Sequence, residues 1–163
     1  MRRRALLLAV GTLVAAVLAG CTSPPPRTQT AALNHWSGRL GLQFDSEPPQ
    51  SYQAAFELQG NPDAGELTLF SPLGGVLAQL QWNAQQATLV RGEQRWQQPS
   101  VDQLMQQLVP GAVPLASLFD WLQGRPAADP SWQVDLSAWP QGRVLAQRLQ
   151  PLPRAQLRVV LER

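Results

Sequence analysis

The 163-residue chain contains no lysine, one histidine and one cysteine. Without lysines or a block of arginines in its main part, the chain shows no pattern typical of nucleic-acid binding or of electrostatic docking on anionic lipid. The single histidine, His35, excludes a His-x-x-x-His zinc site, and it is better explained as a solvated neighbour of the first strand than as a catalyst. No phosphate-binding glycine loop or Gly-x-Ser-x-Gly elbow occurs. We therefore predict a non-catalytic protein with no metal and no other cofactor.

The N-terminal segment has the pattern of a bacterial lipoprotein signal. Arg2-Arg3-Arg4 is followed by an apolar run over Ala5–Leu18, and Leu18-Ala19-Gly20-Cys21 ends that run with small residues and the only cysteine. A membrane-spanning helix is the alternative, but the run is too short to cross a bilayer comfortably. We predict a signal peptide over residues 1–20 and lipid attachment at Cys21, where two or three acyl chains would hold the protein on a membrane.

The mature chain would keep about 143 residues, enough for one domain with a continuous core. It has ten arginines and eleven carboxylates, so it is nearly neutral, and any membrane contact must use apolar surface. Residues 21–33 are rich in Ser, Thr, Pro and Ala and include Pro24-Pro25-Pro26, which predicts a flexible tether reaching roughly 30–40 Å from the membrane. Residues 34–163 form the predicted domain.

Alternating apolar and polar residues predict antiparallel strands through most of that domain. The predicted strands begin near Trp36, Tyr52, Glu66, Val76, Ala87, Gln94, Trp132, Arg143 and Leu157. Turn-rich segments separate them, among them Ser71-Pro72-Leu73-Gly74-Gly75 between the third and fourth strands.

The apolar period changes to that of a helix after residue 99. Ser100 and Gln103 form a capping-box signature, and a second helix begins near Pro114 and ends near Gly124. The apolar stripes of the two helices are Val101, Leu104, Met105 and Leu108, and Leu115, Leu118, Phe119 and Leu122. Two helices between two sets of strands predict an α+β domain with one antiparallel sheet and the helices on a single face.

Periodicity does not separate a filled core from a cavity that the helices roof, and residue patterns alone favour the filled core. The tryptophans also allow two interpretations, as core residues or as contacts for a ligand or partner. Trp36, Trp82 and Trp132 occupy apolar strand positions and are predicted core residues. Trp96, Trp121 and Trp139 either pack at the sheet rim or contact a ligand or partner.

Taken in order, several short segments resemble the LolB family of outer-membrane lipoprotein receptors. They are the lipoprotein signal and tether, Trp36-Ser37-Gly38-Arg39-Leu40, Ser71-Pro72-Leu73-Gly74, Val113-Pro114-Leu115 and Trp121-Leu122-Gln123-Gly124. The family usually has Asn where this chain has Ser71, which does not disturb the turn chemistry. After Trp132 the chain is similar only in its alternating strands.

The resemblance implies a single curved antiparallel sheet, an incomplete β-barrel, with a helical lid over an apolar cavity for acyl chains. The implied cavity residues are Leu40, Leu42, Phe56, Leu104, Met105, Leu108, Leu115, Leu118, Phe119 and Leu122. It also implies that Leu73 dips into the bilayer, although the turn alone slightly favours a leucine folded back on its strands.

The implied function is to accept client lipoproteins from a LolA-like periplasmic carrier and to insert them into the outer membrane. The protein would act as a monomer, lipid-anchored on the periplasmic face, because Thr22 follows Cys21 where an aspartate usually marks retention in the inner membrane. Two other functions stay open. One is a structural envelope-assembly lipoprotein with a solid core, and the other is a carrier of free lipid.

Overall fold

A computed structural model describes residues 34–108, 112–127 and 129–162 of the chain. The predicted signal peptide and tether, including Cys21, lie outside the described residues, as does Pro110-Gly111, the predicted stop of the first helix. Within the described residues the chain forms nine strands and two α-helices.

Nine strands form one sheet in the order β6-β5-β4-β3-β2-β1-β9-β8-β7, and every neighbouring pair is antiparallel. The strands are β1 (Asn34–Phe44), β2 (Gln50–Gly60), β3 (Gly65–Phe70), β4 (Val76–Trp82), β5 (Ala87–Arg91), β6 (Gln94–Gln98), β7 (Trp132–Asp135), β8 (Arg143–Arg148) and β9 (Ala155–Leu161). All nine predicted strands are confirmed.

The pairing of β1 with β9 joins two meanders, β1–β6 and β7–β9, into this one sheet. Its edge strands β6 and β7 do not pair with each other, so the curved sheet stays open. The prediction of an α+β fold with an incomplete antiparallel barrel is confirmed.

Two helices, α1 (Val101–Leu108) and α2 (Leu115–Leu122), connect the edge strands β6 and β7 along the chain. The backbone N–H of Gln103 donates to Ser100 Oγ at 3.2 Å, as the capping signature predicts. Pro114 lies immediately before α2 rather than in its first turn, and its carbonyl accepts from Leu118 N–H at 3.0 Å. The helices, like the strands, therefore follow the local sequence pattern closely.

The C-terminus of α2 shows why Gly124 is needed there. Gly124 has φ +74°, and its N–H donates to Trp121 O while Arg125 N–H donates to Asp120 O, a Schellman arrangement. A Cβ at position 124 would also lie 2.7 Å from the Trp139 ring. The predicted helix end is confirmed, and it brings Trp139 against α2.

Two details differ from the sequence prediction. Tyr52 is 52% exposed although it has the apolar parity of β2, because β3 pairs with β2 only from Ala55 onward. Strand β8 ends at Arg148 rather than Gln150, because prolines 151 and 153 have no N–H to donate to a ladder. In the described part of the chain, neither helix is long and apolar enough to cross a membrane.

Candidate functional site

The inner face of the sheet is lined by alternate residues of its strands, as period two dictates. On β1 and β2, in the middle of the nine-stranded sheet, the inward positions include Leu40 and Leu42 of β1 and Phe56 and Leu58 of β2. Phe56 is 4% exposed and Leu58 is fully buried. We call this inner surface the concave face.

Both helices place their apolar stripes on the concave face. In α1 Leu104 is fully buried, and Val101, Met105 and Leu108 pack against the same core. Strands β5 and β6 are the neighbours of α1 in the sheet. The helical stripe read from the sequence is therefore confirmed as the face that meets the sheet.

Phe119 of α2 packs against the strands, with 1% of its surface exposed. Its ring meets Trp36 edge-on at 5.5 Å between centroids and meets Trp82 in the same way at 6.2 Å. Edge-to-face aromatic pairs at such distances stabilise a core beyond the burial of their area. The protein's own aromatic rings therefore fill part of the concave face at the end of the sheet where β1 begins and β4 ends.

Substitution of Phe119 by alanine should lower the free energy of unfolding by about 3–5 kcal/mol, the usual cost of truncating a buried phenylalanine. Urea denaturation measures this directly. Leu77→Ala, at a residue that is 42% exposed, is the matched control and should stay within about 0.5 kcal/mol of the parent. Equal losses in the two variants would show that α2 does not pack on the sheet as described.

The ten residues predicted to line a cavity all belong to this one core. Five are buried, namely Phe56, Leu104, Leu115, Phe119 and Leu122. The other five are partly buried against it, namely Leu40, Leu42, Met105, Leu108 and Leu118. The structure thus brings the whole predicted set together, and their role toward acyl chains stays a prediction.

A cleft of about 310 Å³ lies beside the C-terminus of α2. Its walls include Trp36 and Leu122 from the core, Trp139, and the polar residues His35 and Glu162. Trp139 Nε1 donates to Leu122 O at 3.1 Å, which joins the end of α2 to this wall. The cleft therefore reaches the apolar core at one end of the sheet.

The tryptophans separate into core and rim. Trp82 and Trp132 are buried as predicted, and Trp36 is half-buried. Trp121 is one of the three tryptophans for which the sequence left two interpretations. It is fully buried, and its ring lies 6.2 Å from that of Trp132. Trp139 is 37% exposed at the cleft. Trp96 completes the set and is partly buried against the core.

Sequence reasoning missed Arg148, a charged residue that is only 3% exposed on the inward side of β8. Its guanidinium lies over Phe44 at 6.0 Å and over Trp132 at 5.7 Å from the ring centres. Nη2 donates to Pro153 O at 2.7 Å. Burial lowers the pKa of the Arg148 guanidinium, which still keeps its proton near neutral pH. The sequence did contain one sign of this burial, since Arg148 occupies the same alternate positions of β8 as Val144 and Ala146, which also point inward.

The turn between β3 and β4 presents the most exposed large apolar residue of the described chain. Leu73 is 98% exposed. The turn is held by Ser71, whose N–H donates to Gly75 O at 2.8 Å and whose Oγ accepts from Gly75 N–H at 3.1 Å. Gly74 has φ +83°, a conformation that favours glycine. The leucine therefore stands at the tip of an ordered turn and does not fold back onto the strands.

A family model described as "Outer membrane lipoprotein LolB" matches residues 34–151, which include β1–β8, both α-helices and the Leu73 turn. The chain belongs to the LolB family. Similar proteins include the outer-membrane lipoprotein LolB of Chromobacterium violaceum, 32% identical over 83% of this chain and 75% of the relative. The LolB of an Azoarcus species is 29% identical, with coverage of 86% and 83%. That of Cupriavidus pinatubonensis is 29% identical, with coverage of 99% and 87%.

Membership in the LolB family confirms the resemblance seen in the sequence and makes this chain one of a family of outer-membrane lipoproteins. Within the described residues no three His, Cys, Asp or Glu side chains gather as a metal site would require. His35 is exposed at the start of β1. The groups that the fold does bring together are apolar side chains and one buried arginine.

Proposed function

We propose that this LolB-family protein accepts lipoproteins from a LolA-like periplasmic carrier and inserts them into the outer membrane. The observation that carries the proposal is the coverage of an open, apolar concave face by two short helices. The contact between helices and sheet is made largely by apolar side chains. Acyl chains can replace such contacts without leaving polar groups unpaired, whereas they could not replace a hydrogen-bonded interface.

A relay of this kind meets a physical need. A lipoprotein in water exposes up to three acyl chains of about fifteen methylenes, and at about 0.8 kcal/mol for each methylene this costs tens of kcal/mol. The cost prevents free diffusion between membranes. Because the sequence has no nucleotide-binding motif, transfer would run down a gradient of affinity from carrier to receptor to bilayer.

The proposed uptake step opens α2 away from the sheet. Phe119 would leave its place between Trp36 and Trp82, and acyl chains would take up the apolar contacts that the helix gives up. The cleft between Trp36 and Leu122 would let this opening start at the C-terminal end of α2. Residues 34–163 would thus form the lipoprotein-binding domain, attached through residues 21–33 to a lipid-modified Cys21 on the periplasmic face.

Transfer between purified proteins tests the proposal. A carrier loaded with a labelled lipoprotein is mixed with the full chain in the absence of vesicles, and the complex is isolated. Lipoprotein should pass to this chain, and an apolar dye bound to it should be released in step. If the label stays on the carrier and the chain enhances no dye emission, a structural lipoprotein with a solid core is the better explanation. Dye binding with no competition by lipoprotein would indicate a carrier of free lipid.

Leu118→Asn should weaken lipoprotein uptake more than it weakens folding. Leu118 is only partly buried, so the amide can keep contact with water in the described state but would lose it against an acyl chain. We expect uptake to fall about tenfold, equivalent to about 1.4 kcal/mol. Dye titration and urea denaturation of the same sample compare the two effects.

The matched control is Ala116→Asn on the exposed side of α2, which should change neither uptake nor stability appreciably. If Leu118→Asn unfolds at room temperature and the parent has no dye site, Leu118 belongs to a solid core.

A further inference from the structure

A second loop presents exposed leucines, and neither the family comparison nor the site described above accounts for it. Residues 149–154 connect β8 to β9, and within them Leu149 is 47% exposed and Leu152 is 69% exposed. Water makes such exposure unfavourable for large apolar side chains, so two in one short loop need an explanation.

The loop is tied to the domain on both sides. Arg148 donates through Nη2 to Pro153 O, and its guanidinium is itself clamped between two aromatic rings. The backbone N–H of Asp45 donates to Arg154 O at 2.9 Å. Leu149 and Leu152 are therefore displayed by an anchored loop, as Leu73 is displayed by an anchored turn.

Strand direction places both loops at the same end of the sheet. Residue Phe44 at the end of β1 pairs with Gln50 and with Ala155, and Ala155 also pairs with Arg148. The turn after Phe70 faces the same way, since β3 runs in the direction of β1, but Phe70 pairs with Ala55, so β3 ends five residues short of the Phe44–Gln50 pair. We call the three loops 45–49, 71–75 and 149–154 the turn rim.

The two leucine-bearing loops lie apart along this rim. From the middle of the β3–β4 pair to the middle of the β8–β9 pair there are four strand spacings, about 19 Å along the sheet and less across its curve. Two separated apolar tips on one rim suit a planar surface better than a narrow groove on a partner protein.

The loop between the tips limits how deep such a contact can be. Residues 45–49 carry Asp45 and Glu47, both exposed, and burial of carboxylates in hydrocarbon is costly. Arg154 is the exposed cation nearest to them along the rim. The carboxylates therefore confine apolar contact to the two tips at shallow depth.

We propose that Leu149 and Leu152 form a second membrane contact, which together with Leu73 seats the turn rim on the phospholipid surface that carries the lipid anchor. This rests on the proposed function only in that insertion of lipoproteins would bring Leu73, which the family resemblance implies dips into the bilayer, to the same membrane. Membership in a family of outer-membrane lipoproteins supplies the surface. Two contact points fix the tilt of the domain, which a single leucine on a long tether would leave free.

Depth-dependent quenching tests this with the full lipidated chain in vesicles of phosphatidylethanolamine and phosphatidylglycerol. With the Cys21 sulfur taken up by the proposed lipid attachment, a cysteine introduced by Leu152→Cys would be the sole thiol and can carry an environment-sensitive NBD label. Doxyl-labelled lipids should quench this label several-fold more than the same label at Val160→Cys. Val160 is a matched control because it is 49% exposed but lies five residues along β9 from Ala155, about 17 Å from the 149–154 loop.

The outcomes separate this proposal from the one on Leu73. If the label at position 152 is quenched no more than that at position 160, while a label from Leu73→Cys is quenched, the second contact is wrong and the first stands. If neither position 73 nor position 152 is quenched, the membrane contact of the whole rim is wrong. A label at position 152 that responds only to added carrier protein would assign the loop to the carrier and overturn the proposal. Leu149→Cys repeats the test should the variant at position 152 misfold.

Discussion

Replacement of Cys21 by alanine should move the protein from the outer-membrane fraction into the soluble periplasmic fraction, provided that a cleavable signal peptide is kept. Two or three long acyl chains at about 0.8 kcal/mol for each buried methylene account for nearly all of the expected membrane attachment. A shallow contact through one or a few leucines adds too little to replace them. Fractionation after a high-salt wash measures the change, which should be close to complete.

The same variant should melt at the temperature of the parent. Strand β1 begins at Asn34, so the twelve residues 22–33 separate the altered residue from the first strand of the domain. A useful control is Thr22→Asp, which keeps the lipid but should retain the protein in the inner membrane. If Cys21→Ala stays quantitatively in washed outer membranes, the lipid-attachment site has been wrongly assigned and the domain holds the membrane by itself.

The local sequence pattern was sufficient to predict the strands and helices, because the hydrophobic period and the turn-forming residues act over a few neighbouring residues. The Leu73 turn shows this well, since Ser71, Pro72 and Gly74 predict a tight turn and the structure contains one. The two helices likewise follow from their apolar stripes and from Ser100 and Gly124 at their ends.

Such local patterns could not predict contacts between distant parts of the chain. The pairing of β1 with β9 joins the two ends of the domain, and nothing in either strand alone selects the other. Arg148 illustrates the consequence. A charge at an inward position is tolerated because Phe44 and Trp132, from two other strands, cover it and the Pro153 carbonyl accepts a hydrogen bond from Nη2. Trp121 is fully buried for a similar reason, since Trp132 of β7 lies beside it.

The predicted acyl-binding residues show the same division. Amphipathic period places Leu104 and Leu118 on faces that must meet apolar surface. It does not decide whether that surface is a protein core or a lipid. In the structure Phe119 packs on the concave face against Trp36 and Trp82, so the choice depends on the free energy needed to move α2 and on the gain from acyl contacts. Dye and lipoprotein binding measure this balance of free energies, which the apolar pattern of the sequence does not predict.

Leu73→Glu should leave uptake of lipoprotein from the carrier intact and should impair its delivery to vesicles by at least about tenfold. Burial of one leucine contributes about 1.5–3 kcal/mol, which corresponds to roughly tenfold to more than a hundredfold in a contact equilibrium. A glutamate at the tip would instead oppose entry into hydrocarbon. Since Leu73 is 98% exposed, the free energy of unfolding should change by no more than about 0.5 kcal/mol.

The comparison is sharpest when both steps are followed in one preparation, with label transfer from the carrier first and release into added vesicles second. Val160→Glu is the matched control, because Val160 is an exposed apolar residue whose cross-strand neighbours are Arg39 and Arg143. There the new carboxylate should be well tolerated, and both steps should proceed as in the parent. Leu73→Phe should deliver lipoprotein as the parent does, since it keeps a large apolar residue at the tip of the turn. Equal loss of uptake and delivery in Leu73→Glu, or a loss of several kcal/mol in stability, would mean that the leucine packs within the protein and that the membrane role must be abandoned.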